Sequence, residues 1–151
     1  MRFIFVDRIS DLVVGRSIQT VKSVSAREDY FADHFPGMPV MPGALILECF
    51  VQSAMLMLGA ADDFGSQPTV KHIRSATFRR FVRPGDQLAV RCDADDRWVV
   101  RARATVGEQT VATAVLEFER GRSLSASNPL RALYDVCRLD PNEAAAQARD
   151  A

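Results

Sequence analysis

Glu48 is the only charged residue in the run 42–58, PGALILECFVQSAMLML. A carboxylate in such company must be paired, protonated or open to a cavity, because a buried charge without a partner costs several kcal/mol. Gln52 follows four residues later and so lies on the same helical face, where it can orient the Glu48 carboxyl or satisfy buried backbone. Fourteen residues before Glu48, His34 stands in HFPGMP, and it is one of only two histidines in the chain. An imidazole titrates near neutral pH, so a histidine and a carboxyl facing one pocket would supply a base and an acid for proton transfer. Taken singly, each has a structural reading as well. Glu48 can be a structural ion pair or a solvated carboxylate, and His34 an exposed or capping residue.

The elements that must position these groups follow from pattern and punctuation. Residues 42–58 contain no internal proline; Pro42 suits a first helical position and Gly59 a stop, which predicts a helix of about sixteen residues. Its apolar residues fall all round the wheel, as in a helix enclosed on nearly every side. Residues 27–39 are broken by prolines, glycine and charges and read as an irregular loop carrying His34. Before it, residues 3–26 read as a short lead-in and then a strand, with Gly15 between two apolar runs. After the helix, KHIRSATFRRFV, DQLAVRC, RWVVRARATVG and QTVATAVLEFER predict four antiparallel strands divided by PGD, DADD and GE. One buried helix with several following strands gives an α+β class in which a curved sheet covers the helix. Past residue 120 the chain turns polar, and Asn128–Pro129 and Asp140–Pro141, the latter with Glu143, predict two short capped helices in a tail. We therefore expect a main unit over 1–120 and a linker and helical tail over 121–151.

Composition limits the function classes. Across 151 residues, 48% are hydrophobic and 25% charged, which excludes a disordered chain and fits one domain with one core. The apolar stretches read as too short or too interrupted to span a bilayer, so no membrane insertion is expected. Nineteen basic residues balance nineteen acidic ones, so bulk attraction to nucleic acid or to an anionic surface is not expected. The cysteines at 49, 92 and 137 are odd in number and lack C-x-x-C spacing, which fits neither a disulfide framework nor a zinc site. With no signal-like start, the expected compartment is the cytoplasm.

Residues 33–52, DHFPGMPVMPGALILECFVQ, resemble the active-site signature of the FabZ/FabA family of 3-hydroxyacyl-(acyl carrier protein) dehydratases, which have the hot-dog fold. FVDRI near the start, VGRSIQTVKSVS and FRRFVRPGDQL extend the resemblance over about residues 4–120. It implies a long central helix wrapped by a curved antiparallel sheet, and a homodimer in which His34 of one subunit faces Glu48 of the other. It also implies that the Val40 carbonyl holds the imidazole and that the Gly43 amide binds the thioester carbonyl. That last role suits elementary physics, since an amide at a helix N-terminus is an unpaired donor aimed at developing negative charge. The implied reaction is proton abstraction by His34, polarisation by Gly43 and protonation of the departing hydroxyl with help from Glu48. No cofactor is implied beyond the phosphopantetheine arm of the carrier. Glutamate at 48 resembles the FabZ branch, which dehydrates without isomerising. Asp33, Cys49 and Val51 depart from the family pattern; Asp33 either approaches the ring and favours its charged form or points to solvent.

Between residues 71 and 91, six basic residues (Lys71, Arg74, Arg79, Arg80, Arg83 and Arg91) face one acid, Asp86. An acidic acyl carrier protein would be steered by such a stretch, with Arg79, Arg80 and Arg83 as the expected carrier-binding residues. The plainer alternative is a solvated strand face. The expected assembly is a homodimer, extended in the family to a trimer of dimers. Two other functions stay open on sequence alone: a non-catalytic or partner-dependent hot-dog subunit, and an acyl thioesterase.

Overall fold

The computed structural model describes residues 3–34, 37–123 and 128–138. Phe35 and Pro36 of the histidine loop and the second tail helix expected over 141–151 lie outside the described residues. The strands are β1 (Arg8–Val13), β2 (Ser17–Ser23), β3 (Ser66–Phe78), β4 (Gln87–Asp96), β5 (Val99–Val106) and β6 (Gln109–Ser123). They form one antiparallel sheet in the order β1-β2-β4-β5-β6-β3. The helices are α1 (Tyr30–Asp33), α2 (Gly43–Ala60) and α3 (Pro129–Arg138).

Period-two alternation explains how the sheet holds α2. Ile18, Thr20 and Lys22 of β2, Leu88, Val90 and Cys92 of β4, and Val100, Ala102 and Ala104 of β5 turn inward and are buried. On α2, Ile46, Cys49, Phe50 and every residue from Gln52 to Gly59 are buried as well. Polar contacts fix the helix in rotation: the Thr20 and Ser53 hydroxyls are 2.7 Å apart, and the Ser53 hydroxyl donates to the Cys49 carbonyl at 2.7 Å. A helix enclosed by a curved antiparallel sheet is the expected α+β hot-dog arrangement.

Several details depart from the sequence reading, beginning with the short helix α1 (Tyr30–Asp33) inside residues 27–39, which read as an irregular loop. The lead-in contains a strand, β1, joined to β2 by a tight turn in which Gly15 has φ +70. Its residues are mostly exposed, so no buried alternation marks it in the sequence. The DADD segment does not end β4, which runs to Asp96 with a register shift between Ala94 and Asp96. Asp93 and Asp95 are accommodated by pairing with Arg91 and Arg101. Gly59 is not a stop: α2 continues to Ala60, and a β-carbon at 59 would sit 2.9 Å from the Phe64 ring and 3.0 Å from Leu130, so the glycine admits close packing. The chain turns later, where Asp63 and Phe64 take φ of 42 and 58 and the Phe64 amide returns to the Gly59 carbonyl at 2.7 Å. Lastly, at 18 residues and a mean hydropathy of 1.7, α2 is by length and composition apolar enough to cross a bilayer, but 61% of it is buried inside the fold, as in a core helix.

The first tail helix forms as its cap predicts. The Asn128 side-chain oxygen accepts the Leu130 amide at 2.9 Å, and Pro129 opens α3. Leu130, Leu133, Tyr134 and Cys137 are buried, Tyr134 packs on Phe64 with ring centroids 4.9 Å apart, and the Cys137 thiol reaches the Val6 carbonyl at 3.3 Å.

All three cysteines are free and buried. Burial pushes the Cys49 thiol up to about 12 and Cys137 to about 11, from an ordinary value of 9.0, and raises Cys92 further. Because these acids ionise first in the unfolded chain, their contribution to stability is whole below about pH 9 and is lost as the pH climbs through the folded values. Denaturant midpoints should be level near neutrality and fall steadily above about pH 9. A midpoint unchanged to pH 11 would contradict the burial of these thiols.

Candidate active site

The Glu48 carboxyl is half-buried on α2, and its geometry is set by Gln52. The Gln52 carboxamide is 1% exposed and fully engaged. Its oxygen accepts the Phe5 amide at 2.8 Å, while its nitrogen donates to the Phe3 carbonyl at 3.0 Å and to Glu48 Oε1 at 2.8 Å. The two alternatives open on sequence are thus both realised: one side chain satisfies buried backbone and orients the carboxyl. A side chain so enclosed acts on its surroundings through Glu48.

His34 follows the last residue of α1, with its amide donating to the Tyr30 carbonyl at 3.0 Å. Its Nδ1 is 2.8 Å from the Val40 carbonyl. A carbonyl only accepts, so Nδ1 carries the hydrogen and the basic nitrogen of the neutral ring is Nε2. Val40 and Met41 are buried, and the Met41 amide donates to the Val82 carbonyl at 2.8 Å, which ties the approach to α2 to the β3–β4 connection. Pro42 precedes α2 rather than opening it, and Gly43 is the first helical residue. Among the described residues no side chain caps this terminus, so its leading amides point out of the helix unpaired by its own carbonyls. A β-carbon at Gly43 would meet the Phe78 ring at 3.2 Å.

The basic stretch divides in two. Lys71 and Arg74 engage Glu117, whose carboxyl Arg74 holds below its ordinary range, and Arg91 engages Asp93. Arg79, Arg80 and Arg83 are exposed, and among the described residues none forms a side-chain ion pair. Together with Phe78, Phe81, Val106 and Val111 they line an open groove of about 710 Å³. Asp33 is exposed. Cys49, beside Glu48, has its thiol held protonated by burial, so it is a poor nucleophile.

Sequence reasoning missed a charged cluster beside these groups. Lys22, 7% exposed, is 2.9 Å from Glu28 and 3.5 Å from Asp7. The hydroxyl of Tyr30, shielded from solvent, has no hydrogen-bond partner among the described residues, and burial with nearby Glu28 and Cys49 pushes its pKa up. The available signal was Lys22 at an inward position of the alternating run SIQTVKS.

Comparison with known proteins adds a family. A FabA-like domain matches residues 1–115. The 3-hydroxyacyl-[acyl-carrier-protein] dehydratase FabZ of Bordetella petrii is 44% identical over 124 residues, covering 75% of this chain and 82% of its own. That of Levilactobacillus brevis is 38% identical over 120 residues, covering 76% and 81%. Among solved structures, the dehydratase heterocomplex ApeI:P from Xenorhabdus doucetiae aligns with a TM-score of 0.61 at 17% identity, over 72% of this chain and 91% of that one. The Streptococcus mutans protein smu.793 bound to acetyl CoA gives 0.61 at 17%, over 83% and 96%. At such identities the solved structures speak for the fold alone.

The Gln52 arrangement is testable through stability. Gln52→Ala leaves the Phe5 amide and Phe3 carbonyl without their partner and should cost about 1–3 kcal/mol. Gln52→Glu keeps the acceptor for Phe5 but sets a second carboxyl against Glu48; two so close resist joint ionisation, so its penalty should grow from pH 4 to pH 8. Denaturant midpoints measured across that range check this, and a penalty independent of pH would show that the two side chains do not meet.

Proposed function

The chain belongs to the FabA-like domain family, and from that premise we propose that it dehydrates 3-hydroxyacyl thioesters carried on acyl carrier protein. The products are trans-2-enoyl thioesters in fatty acid or related acyl-chain synthesis. The observation that carries this reading is the histidine whose Nδ1 is committed to Val40, together with a glutamate oriented by Gln52 on the helix that Gly43 opens. The basic nitrogen of His34 takes the proton from C2. Electron density moves to the thioester oxygen, which the Gly43 amide holds at the helix N-terminus. The C2–C3 double bond then forms as the C3–O bond breaks, and Glu48 gives its proton to the departing hydroxyl, which leaves as water. Val40 and Gln52 hold the two acid–base groups in place. One C–H and one C–O bond break and water is lost, so the chemistry calls for no electron carrier; the phosphopantetheine arm belongs to the substrate.

The assembly we propose is a homodimer with shared sites. β3 is a thirteen-residue edge strand, and its residues 71–78 are all exposed, with Ile73 at 50% and Phe78 at 47%. A long edge with apolar side chains is a template for another strand. A second copy laid edge to edge would cover it and bring His34 of one protomer to Glu48 of the other. Trimers of such dimers are a further extension of the same proposal. Arg79, Arg80 and Arg83, which among the described residues form no side-chain ion pair, would seat the acidic carrier and its phosphate. Residues 1–120 are the unit to which we assign this chemistry, with 121–151 as an addition to it. Buried free thiols suit the reducing cytoplasm.

His34→Ala and Glu48→Ala should each lower kcat on the order of 10²- to 10⁴-fold, with little change in thermal midpoint for His34→Ala and a modest fall for Glu48→Ala, which leaves a buried Gln52 N–H unpaired. Mixing and refolding the two inactive variants together should restore about a quarter of wild-type activity, since half the dimers are mixed and each mixed dimer has one intact site. The assay follows enoyl thioester formation alongside free thiol. No recovery on mixing would exclude shared sites, wild-type activity in both variants would exclude the mechanism, and thiol release without enoyl product would mark a thioesterase.

A further inference from the structure

Lys22 faces inward from β2, with its side chain 9% exposed, and it stands between two carboxylates from different parts of the chain. A buried ion pair is weak as a source of stability, because desolvation offsets most of the attraction and an apolar residue of similar volume often serves as well. Removing one partner, by contrast, leaves a buried charge uncompensated, so the cluster ties together the three segments that carry Asp7, Lys22 and Glu28.

Asp7 is itself fixed: its Oδ2 accepts the Ser23 amide at 2.6 Å, and its own amide donates to the Val21 carbonyl at 2.9 Å. Asp7 directly precedes β1 and ends the segment whose Phe3 carbonyl and Phe5 amide hold Gln52, and Gln52 holds Glu48. Glu28 lies on the other side. Its carbonyl accepts the Phe31 amide at 3.0 Å at the start of α1, the Tyr30 carbonyl accepts the His34 amide, and the His34 ring reaches Val40. A single ammonium thus stands at the root of two arms, one ending at the acid and one at the base.

We propose that Lys22 is a positioning residue for both Glu48 and His34, locking the lead-in through Asp7 and the histidine segment through Glu28. The inference rests on the dehydratase reading above. If sites are shared between protomers, the two arms of one Lys22 serve two different active sites of the dimer. The ammonium remains charged there: burial opposes its charge, but Glu28 and Asp7 together outweigh that and raise its pKa.

Three variants test this. Lys22→Arg keeps the cation and should retain most of the activity. Lys22→Met removes it, and Lys22→Met combined with Glu28→Gln also removes the carboxylate most closely paired with it, which keeps the protein folded if the single change does not. In the folded variants lacking the lysine, kcat should fall on the order of 10²-fold while KM changes little, the signature of misplaced acid–base groups. Amide hydrogen exchange gives a second readout that needs no substrate: the Phe5 and His34 amides should both lose protection. A double variant with kcat within about twofold of wild type and both amides still protected would overturn the proposal. An arginine variant as impaired as the methionine one would also overturn it. If the wild type itself does not dehydrate the thioester, the exchange result alone decides the positional lock, so failure of the function and failure of the lock are read separately.

Discussion

An apolar helix that carries one carboxylate through the middle of a protein has to fix that group without leaving it stranded. In this chain the solution is Gln52, which is buried and uses both of its N–H donors and its carbonyl oxygen. Because its partners are the backbone of residues 3 and 5 as well as Glu48, the geometry of the carboxyl depends on the segment before β1, with Phe5 forty-seven residues from Gln52 in sequence. Gln52 lies on the enclosed helix, shut off from water, which makes these bonds obligatory. The fold and the site are therefore one problem: unwrap the helix, and the carboxamide no longer has a reason to hold Glu48.

The histidine is fixed by a separate device. Its loop has too many prolines and glycines to form regular structure, so position comes from point contacts: the Tyr30 carbonyl on its amide and the Val40 carbonyl on its ring. Val40 is in turn secured because the next residue, Met41, bonds to Val82 in the connection that bears Arg79, Arg80 and Arg83. The His34 ring, the start of α2 and the groove of Arg79, Arg80 and Arg83 are thus linked through Val40, Met41 and Val82, which suits the proposed delivery of a tethered substrate.

Much of this was legible in the sequence, and the exceptions have physical causes. The proline and glycine before a long apolar run announced α2 to within two residues, and Asn128 announced α3. The edge strand β1 escaped because an element exposed on most of its residues shows no alternation. Gly59 misled because a glycine can serve packing as well as termination, and only the Phe64 ring against it distinguishes the two. DADD looked like a break, but its charges are matched by arginines in the same sheet, which no local pattern reveals. His34, Glu48 and Gln52 stood out through chemistry that clashed with their surroundings. Lys22, Asp7 and Glu28 did not, because each is unremarkable alone and they become a cluster only once three segments are folded together.

The most direct measurement is a crystal structure of the assembled protein with an enoyl thioester bound. The proposed mechanism requires His34 Nε2 of one protomer and the Glu48 carboxyl of its partner to flank C2 and C3 at roughly 2.6–3.2 Å, or through one water, with the thioester oxygen on the Gly43 amide. That convergence is the predicted result. Protomers joined so that the imidazole and the carboxyl open to separate surfaces, with the thioester bound elsewhere, would contradict it.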